Sequence, residues 1–142
     1  MFRLILTVCL LAFWPTLLLA DSLTVSDIAF GTGIQDKAVT GVDTVFDVTQ
    51  DRIYCWNVVR HAAANDTIYH TWFLNDKEIQ KVPLPVQGFR YRTHSYKSLW
   101  GNLSGVWTVE VTDLAGNLLA KESIEVRKAV VEEEPTPEAR DE

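Results

Sequence analysis

The chain has 142 residues, Lys+Arg 13 against Asp+Glu 19, a formal charge of −6 and a hydrophobic share of 47%. That length holds one ordinary domain and excludes eight-fold βα barrels and large hydrolase folds. The acidic balance argues against nucleic acid as a partner, because phosphate backbones need a clustered positive field.

Taken in chain order, the first segment is a targeting signal. Arg3 is the only charge before Asp21, and Leu4 to Leu19 is apolar apart from Thr7, Pro15 and Thr16. A basic start, an apolar stretch and the small Ala20 at its exit describe a secretory signal peptide over residues 1–20, cleaved after Ala20. The run is short for a bilayer span, which takes roughly 17–25 apolar residues, so no stable span is expected after cleavage. The alternative is an inner-membrane anchor formed by residues 4–19. Cleavage predicts a periplasmic or secreted protein in which Cys55 is the one remaining cysteine, so no intramolecular disulfide is expected. Its neighbours in Ile53-Tyr54-Cys55-Trp56 are apolar, the setting of a buried and inert thiol.

From residue 22 to residue 127 the apolar pattern is that of strands. Short runs rich in Val, Ile, Thr, Tyr and Trp are separated by turn residues, which predicts strands near 23–30, 44–48, 52–60, 67–74, 78–83, 90–97, 105–113 and 118–127. Asn75-Asp76-Lys77 and Leu114-Ala115-Gly116-Asn117 are the clearest hairpin turns, and Gly31-Thr32-Gly33 also reads as a turn. Eight short strands predict an all-β, single-domain antiparallel sandwich. Beyond it, residues 128–142 carry six acids, two bases and two prolines, the composition of a disordered acidic tail.

Three stretches resemble immunoglobulin-like sandwiches. Trp72 before the Asn75-Asp76 turn is similar to the buried Trp of their third strand, and Trp107-Thr108-Val109 to their last hairpin. The resemblance implies that Cys55 and Val109 stand near the two cysteine positions of such domains, packed together where a disulfide would otherwise lie, with Trp72 and Trp107 in the same core.

A more specific likeness runs through His70-Thr71-Trp72-Phe73, Asn75-Asp76-Lys77, Phe89-Arg90-Tyr91-Arg92-Thr93-His94-Ser95-Tyr96-Lys97 and Gly105-Val106-Trp107-Thr108-Val109. Over residues 66–127 this resembles the bacterial family catalogued as domain of unknown function 2914. That family has a His-x-Trp pair, an Arg-x-Arg-Thr-x-Ser-x-Lys strand and a Gly-x-Trp-x-Val strand in this order. His94 stands where its pattern has an aromatic. The resemblance implies an exported or membrane-associated bacterial domain and supplies no activity.

Familiar catalytic signatures are absent: the chain has no Gly-x-Ser-x-Gly, no phosphate-binding glycine loop and no His-Glu-x-x-His. His61, His70 and His94 fall on or beside three different strands without chelating spacing, so neither a metal nor a cofactor is expected. Charge is more informative. Residues 21–51 carry six acids and one base, residues 52–97 seven bases and three acids, and residues 98–127 two bases and four acids. Within the positive block, strand alternation puts Arg90, Arg92, His94 and Tyr96 on one face and Phe89, Tyr91, Thr93 and Ser95 on the inward one. An arginine row of this kind is suited to carboxylate, phosphate or sugar groups, and equally to a solvated face with cross-strand pairs. His70 reads either as buried beside Trp72, hydrogen-bonded to Ser95 or Thr93, or as exposed beside the arginines. Binding candidates are therefore Arg90, Arg92, His94, His70 and Lys97.

The function expected is that of a noncatalytic binding or protein-interaction module of the cell envelope, its partner a protein or a glycan. The alternatives are a glycan-binding accessory domain or an enzyme whose site has no familiar signature. Intact-mass measurement of the exported protein should give a chain beginning at Asp21. A mature form that keeps Met1 would instead establish the anchor.

Overall fold

The computed structural model describes residues 21–129, apart from residue 102. The signal peptide read over residues 1–20 and nearly all of the acidic tail lie outside the described residues. The described chain forms eight strands and no helix: β1 Thr24–Gly31, β2 Gly33–Gln35, β3 Ala38–Thr40, β4 Val45–Asp47, β5 Arg52–Leu74, β6 Lys77–Ser98, β7 Gly105–Thr112 and β8 Leu118–Arg127. The all-β class and the absence of a disulfide hold; Cys55 is a buried free thiol.

The segments expected as separate strands at 52–60 and 67–74 are one strand, and so are those at 78–83 and 90–97. β5 and β6 pair antiparallel from Arg52 opposite Ser98 to Leu74 opposite Lys77. They turn a corner together. His61 and Asn65 take positive φ (57° and 66°), and Gly88, next to the bulge between Ala62 and Asp66, has φ 85°. A bulge adds a residue to one strand and bends the ladder without ending it. On its other side, the first half of β5 pairs with β1 and the second half with β7. β7 continues antiparallel to β8, and β8 runs parallel to β4. The result is one six-stranded sheet, curled into a half-barrel. Alternation reports which side of a strand is buried, but not whether the strand continues through a bend, which is why the sequence divides β5 and β6 in two.

The turns follow their chemistry. Asn75 and Asp76 both have positive φ (47° and 67°), as a two-residue hairpin requires. Asn75 does a second job: its Oδ1 accepts the Val106 N–H at 3.0 Å. Opposite it, Gly105 has φ 140°, and a Cβ there would lie 2.6 Å from that same oxygen, so only glycine fits. Asp113 closes the β7–β8 turn by accepting the Asn117 N–H at 2.8 Å, with Gly116 at φ 89°. Gly31-Thr32-Gly33 is a bend between β1 and β2. The small β2–β3 hairpin that follows escapes the sequence reading, because its turn is Asp36-Lys37, both at positive φ without a glycine.

The two halves of the curled sheet close on one core. Trp72, Trp107, Phe30, Ile53, Ile68, Cys55 and Val109 are almost wholly buried there. Trp72 meets Phe30 edge-on at 5.9 Å from the opposite half, and Trp107 at 6.1 Å. Such pairs add to the area each aromatic removes from water. Trp107→Ala should therefore cost about 3–5 kcal/mol, read as a lowered thermal or denaturant midpoint. A midpoint equal to that of the unchanged protein would contradict the place of β7 in this core.

Candidate functional site

Beneath the sheet, the corner brings four polar side chains together. Asn57 comes from the first half of β5, His70 and Trp72 from the second, and Ser95 from β6. His70 Nδ1 lies 2.7 Å from Ser95 Oγ, and its Nε2 lies 3.1 Å from Asn57 Oδ1. The Trp72 indole N–H donates to the same Ser95 oxygen at 2.9 Å. Asn57 Oδ1 can only accept, so a neutral imidazole carries its proton on Nε2 and donates it there. Nδ1 is then an acceptor and takes the Ser95 hydroxyl proton, while Ser95 Oγ accepts the Trp72 indole N–H. Burial, with His94 a lesser influence, lowers the His70 pKa from 6.5 to about 4. Asn57 Nδ2 is left without a partner among the described residues. Cys55 lies in the same interior, and burial pushes its thiol far above its ordinary range, which keeps it protonated and unreactive.

The outer face is of a different character. β6 presents Arg90, Arg92, His94 and Tyr96 to solvent, while Tyr91, Thr93 and Ser95 turn inward. Opposite them in register on β5 stand Arg60, Val58, Trp56 and Tyr54. Tyr54 packs against His94 and Tyr96 at 5.9 and 5.7 Å, and the Arg52 guanidinium lies over the Tyr96 ring at 4.7 Å. The first half of β5 carries apolar residues on both sides, and its outer side is covered by the β2–β3 hairpin. It lies over this face, with the Trp56 indole donating to the Lys37 carbonyl at 2.9 Å. Between hairpin and β6 runs a cleft of about 480 Å³ lined by Ile34, Lys37, Arg90, Tyr91, Arg92 and His94. Arg90 and Arg92 make no ion pair among the described residues, whereas Lys121 holds Glu110 at 3.0 Å and Arg127 holds Glu125 at 3.0 Å.

Three of the five binding candidates, Arg90, Arg92 and His94, thus share one exposed face. His70 does not. It is enclosed in the core with both ring nitrogens engaged, so it holds the interior in register and meets no ligand from outside. Lys97 points to the other side of β6, where its Nζ donates to Gln80 Oε1 at 2.7 Å. Phe89 departs from the expected inward face: it is 67% exposed and packs on His61 at 4.8 Å, because Gly88 breaks the alternation just before it. His61 also faces Asp21 at 3.5 Å, so the three histidines occupy three separate surroundings. Sequence reasoning missed Arg52 and Lys37. Arg52 shares the period-two face of Tyr54 and Trp56 and is within reach of alternation; Lys37 arrives only through the unrecognised hairpin.

The fold and this arrangement define an all-β domain with a histidine-centred polar core and a cationic, aromatic outer strand. Residues 65–126 match the family described as "Protein of unknown function (DUF2914)", which bears out the resemblance drawn from the motifs. The match runs from the corner of β5 almost to the end of β8. No curated protein matches the chain. Set against the structure, the motifs divide. His70, Trp72, Ser95, Gly105, Trp107 and Val109 serve the interior, while the two arginines stand outside it. Among the described residues no helix is long and apolar enough to cross a membrane.

The buried imidazole makes stability depend on pH. In the unfolded chain His70 takes up its proton near pH 6.5, and in the folded protein only near 4. Between these values the unfolded state binds more protons, so the stability contributed is full above about pH 6.5 and falls as pH drops toward 4. The whole change amounts to about 3 kcal/mol. In His70→Gln this part of the dependence should vanish, measured as the denaturation midpoint against pH. Parallel profiles for the two proteins would refute the assignment.

Proposed function

We propose that this chain is an exported, noncatalytic binding or protein-interaction module of the bacterial cell envelope, released into the periplasm or medium by cleavage after Ala20. Its recognition surface is the outer strand face of Arg90, Arg92 and His94, with Lys37 across the cleft. The observation that carries the reading is the state of the arginines. In an acidic chain, Arg90 and Arg92 stand exposed, two apart on one strand, without an acidic partner among the described residues. A guanidinium stays charged and grips a carboxylate or phosphate with two parallel bonds, which makes a negatively charged partner group the natural complement. The immunoglobulin-like likeness belongs to the same proposal. It draws support from two sheet halves packed across Trp72 and Trp107, a common frame for interaction modules, although a frame alone fixes no function.

A second reading, a glycan-binding accessory domain, has its own observation. Tyr54 and the 80% exposed Trp100 border a cleft of about 720 Å³ beside Arg52. Aromatic rings with polar neighbours suit sugar faces.

The test pairs two measurements on the double variant Arg90→Ala, Arg92→Ala. Its thermal midpoint should hardly move, since exposed substitutions of this sort change stability by about 0.5 kcal/mol or less. Crosslinked partners recovered from the native envelope should fall by roughly tenfold or more, as expected when charged hydrogen bonds of about 1.5–3 kcal/mol each are lost. Undiminished recovery would remove the recognition reading.

A further inference from the structure

The hydrogen-bonding of β6 is one-sided. Among the described residues it pairs only with β5, so its other edge is free along its length. The first half is protected in a familiar way: Pro83 and Pro85 remove donors, and Gly88 bends the strand. From Phe89 to Ser98 there is no such guard. A groove of about 870 Å³ borders the last part of this stretch, lined by five consecutive residues, His94 to Ser98, with Trp100 at its end, while Arg90 and Arg92 line the neighbouring cleft. Side chains of consecutive residues alternate between faces, so a groove touched by five in a row has strand backbone in its wall, and beside an unpaired strand that backbone includes the N–H and C=O groups of the edge. Its far wall is Ile79, Gln80 and Val82 from the protected half of the same strand, on the side of the half-barrel that no strand closes, where only the Lys97–Gln80 side-chain bond at 2.7 Å reaches across.

We infer that this edge takes up a partner's extended acidic peptide as an added strand, pairing along Phe89–Ser98. The added backbone supplies the missing ladder. Its alternate side chains fall on two sides: one row beside Arg90, Arg92 and His94, the other toward the apolar wall of Val82 and Trp100. Strand addition works in this way, with the main chain giving affinity and alternate side chains giving specificity. The charge selects the occupant. A second copy paired edge to edge would bring two cationic rows together, and like charges across a ladder are destabilising. A peptide alternating acidic and apolar residues is complementary on both sides. The inference rests on the recognition reading for the role of the arginines, but not for the free edge.

The test uses the full exported chain and a synthetic peptide alternating glutamate and valine over the length of this edge. Hydrogen exchange should slow in residues 89–98 when the peptide is added. The same peptide N-methylated at alternate residues, which cannot complete a ladder, should lose binding by roughly tenfold or more. A lysine–valine peptide should not bind. The variant Arg90→Glu, Arg92→Glu, with its thermal midpoint measured alongside, should lose the glutamate peptide and gain the lysine one. Equal binding of the N-methylated peptide, or no protection at this edge, would overturn the inference. If no protection appears while the alanine variant still loses its envelope partners, the recognition surface stands and strand addition falls. Amides of 89–98 already protected in the protein alone would overturn it in favour of an occupant from this chain itself, a second copy or residues 130–142.

Discussion

Where β5 turns at His61–Asn65, β6 turns with it at Gly88, and the two strands keep pairing on both sides of the bend. Most of the architecture depends on that shared corner. It lets a single strand carry β1 on one half and β7 on the other, on the same side, and so folds one sheet over itself. It brings Phe30 from β1 against Trp72 from the far half of β5. It also leaves β6 as a lone border, because both of the other long partners lie across β5 from it. The positive φ angles at His61 and Asn65 carry a conformational cost that the ladder on either side offsets.

The polar cluster under the corner does what an apolar core cannot. Leucines in place of Asn57, His70 and Ser95 would pack in several registers, whereas a hydroxyl shared between an indole and an imidazole accepts one geometry only. A slip of one residue in β6 would turn Ser95 outward and leave one donor of the core, the Trp72 indole N–H, and one acceptor, His70 Nδ1, unpaired, at about 1–3 kcal/mol each. The cluster is thereby a register mark for the longest pair of strands in the molecule. Its cost is visible in the orphaned Asn57 Nδ2.

The sequence made legible what alternation and turn chemistry encode. Asn75-Asp76 and Gly116 announce their turns, Trp72 and Trp107 announce the core, and the Arg90–Arg92 spacing announces an exposed row. Ser95 could be named as a partner of His70 because both fall on inward positions. What stayed hidden is set by distance in space. Nothing local shows that Ala62 and Gly88 form one corner, that an Asp36-Lys37 turn folds a hairpin over Trp56, or that Lys37 comes to rest across from Arg92. The exposed Phe89 shows the limit of counting by twos: one glycine at positive φ resets the phase.

The parallel pairing of β4 with β8 joins the beginning of the domain to its end. Val45 finds its place beside Glu125 only when everything between them has been made, and the contact closes a loop that spans nearly the whole domain. Long-range pairing of this kind slows folding. A growing chain therefore has no complete sheet to form until its last strand has left the ribosome. The long β5–β6 ladder needs none of β8, and the finished domain locks when its final strand arrives.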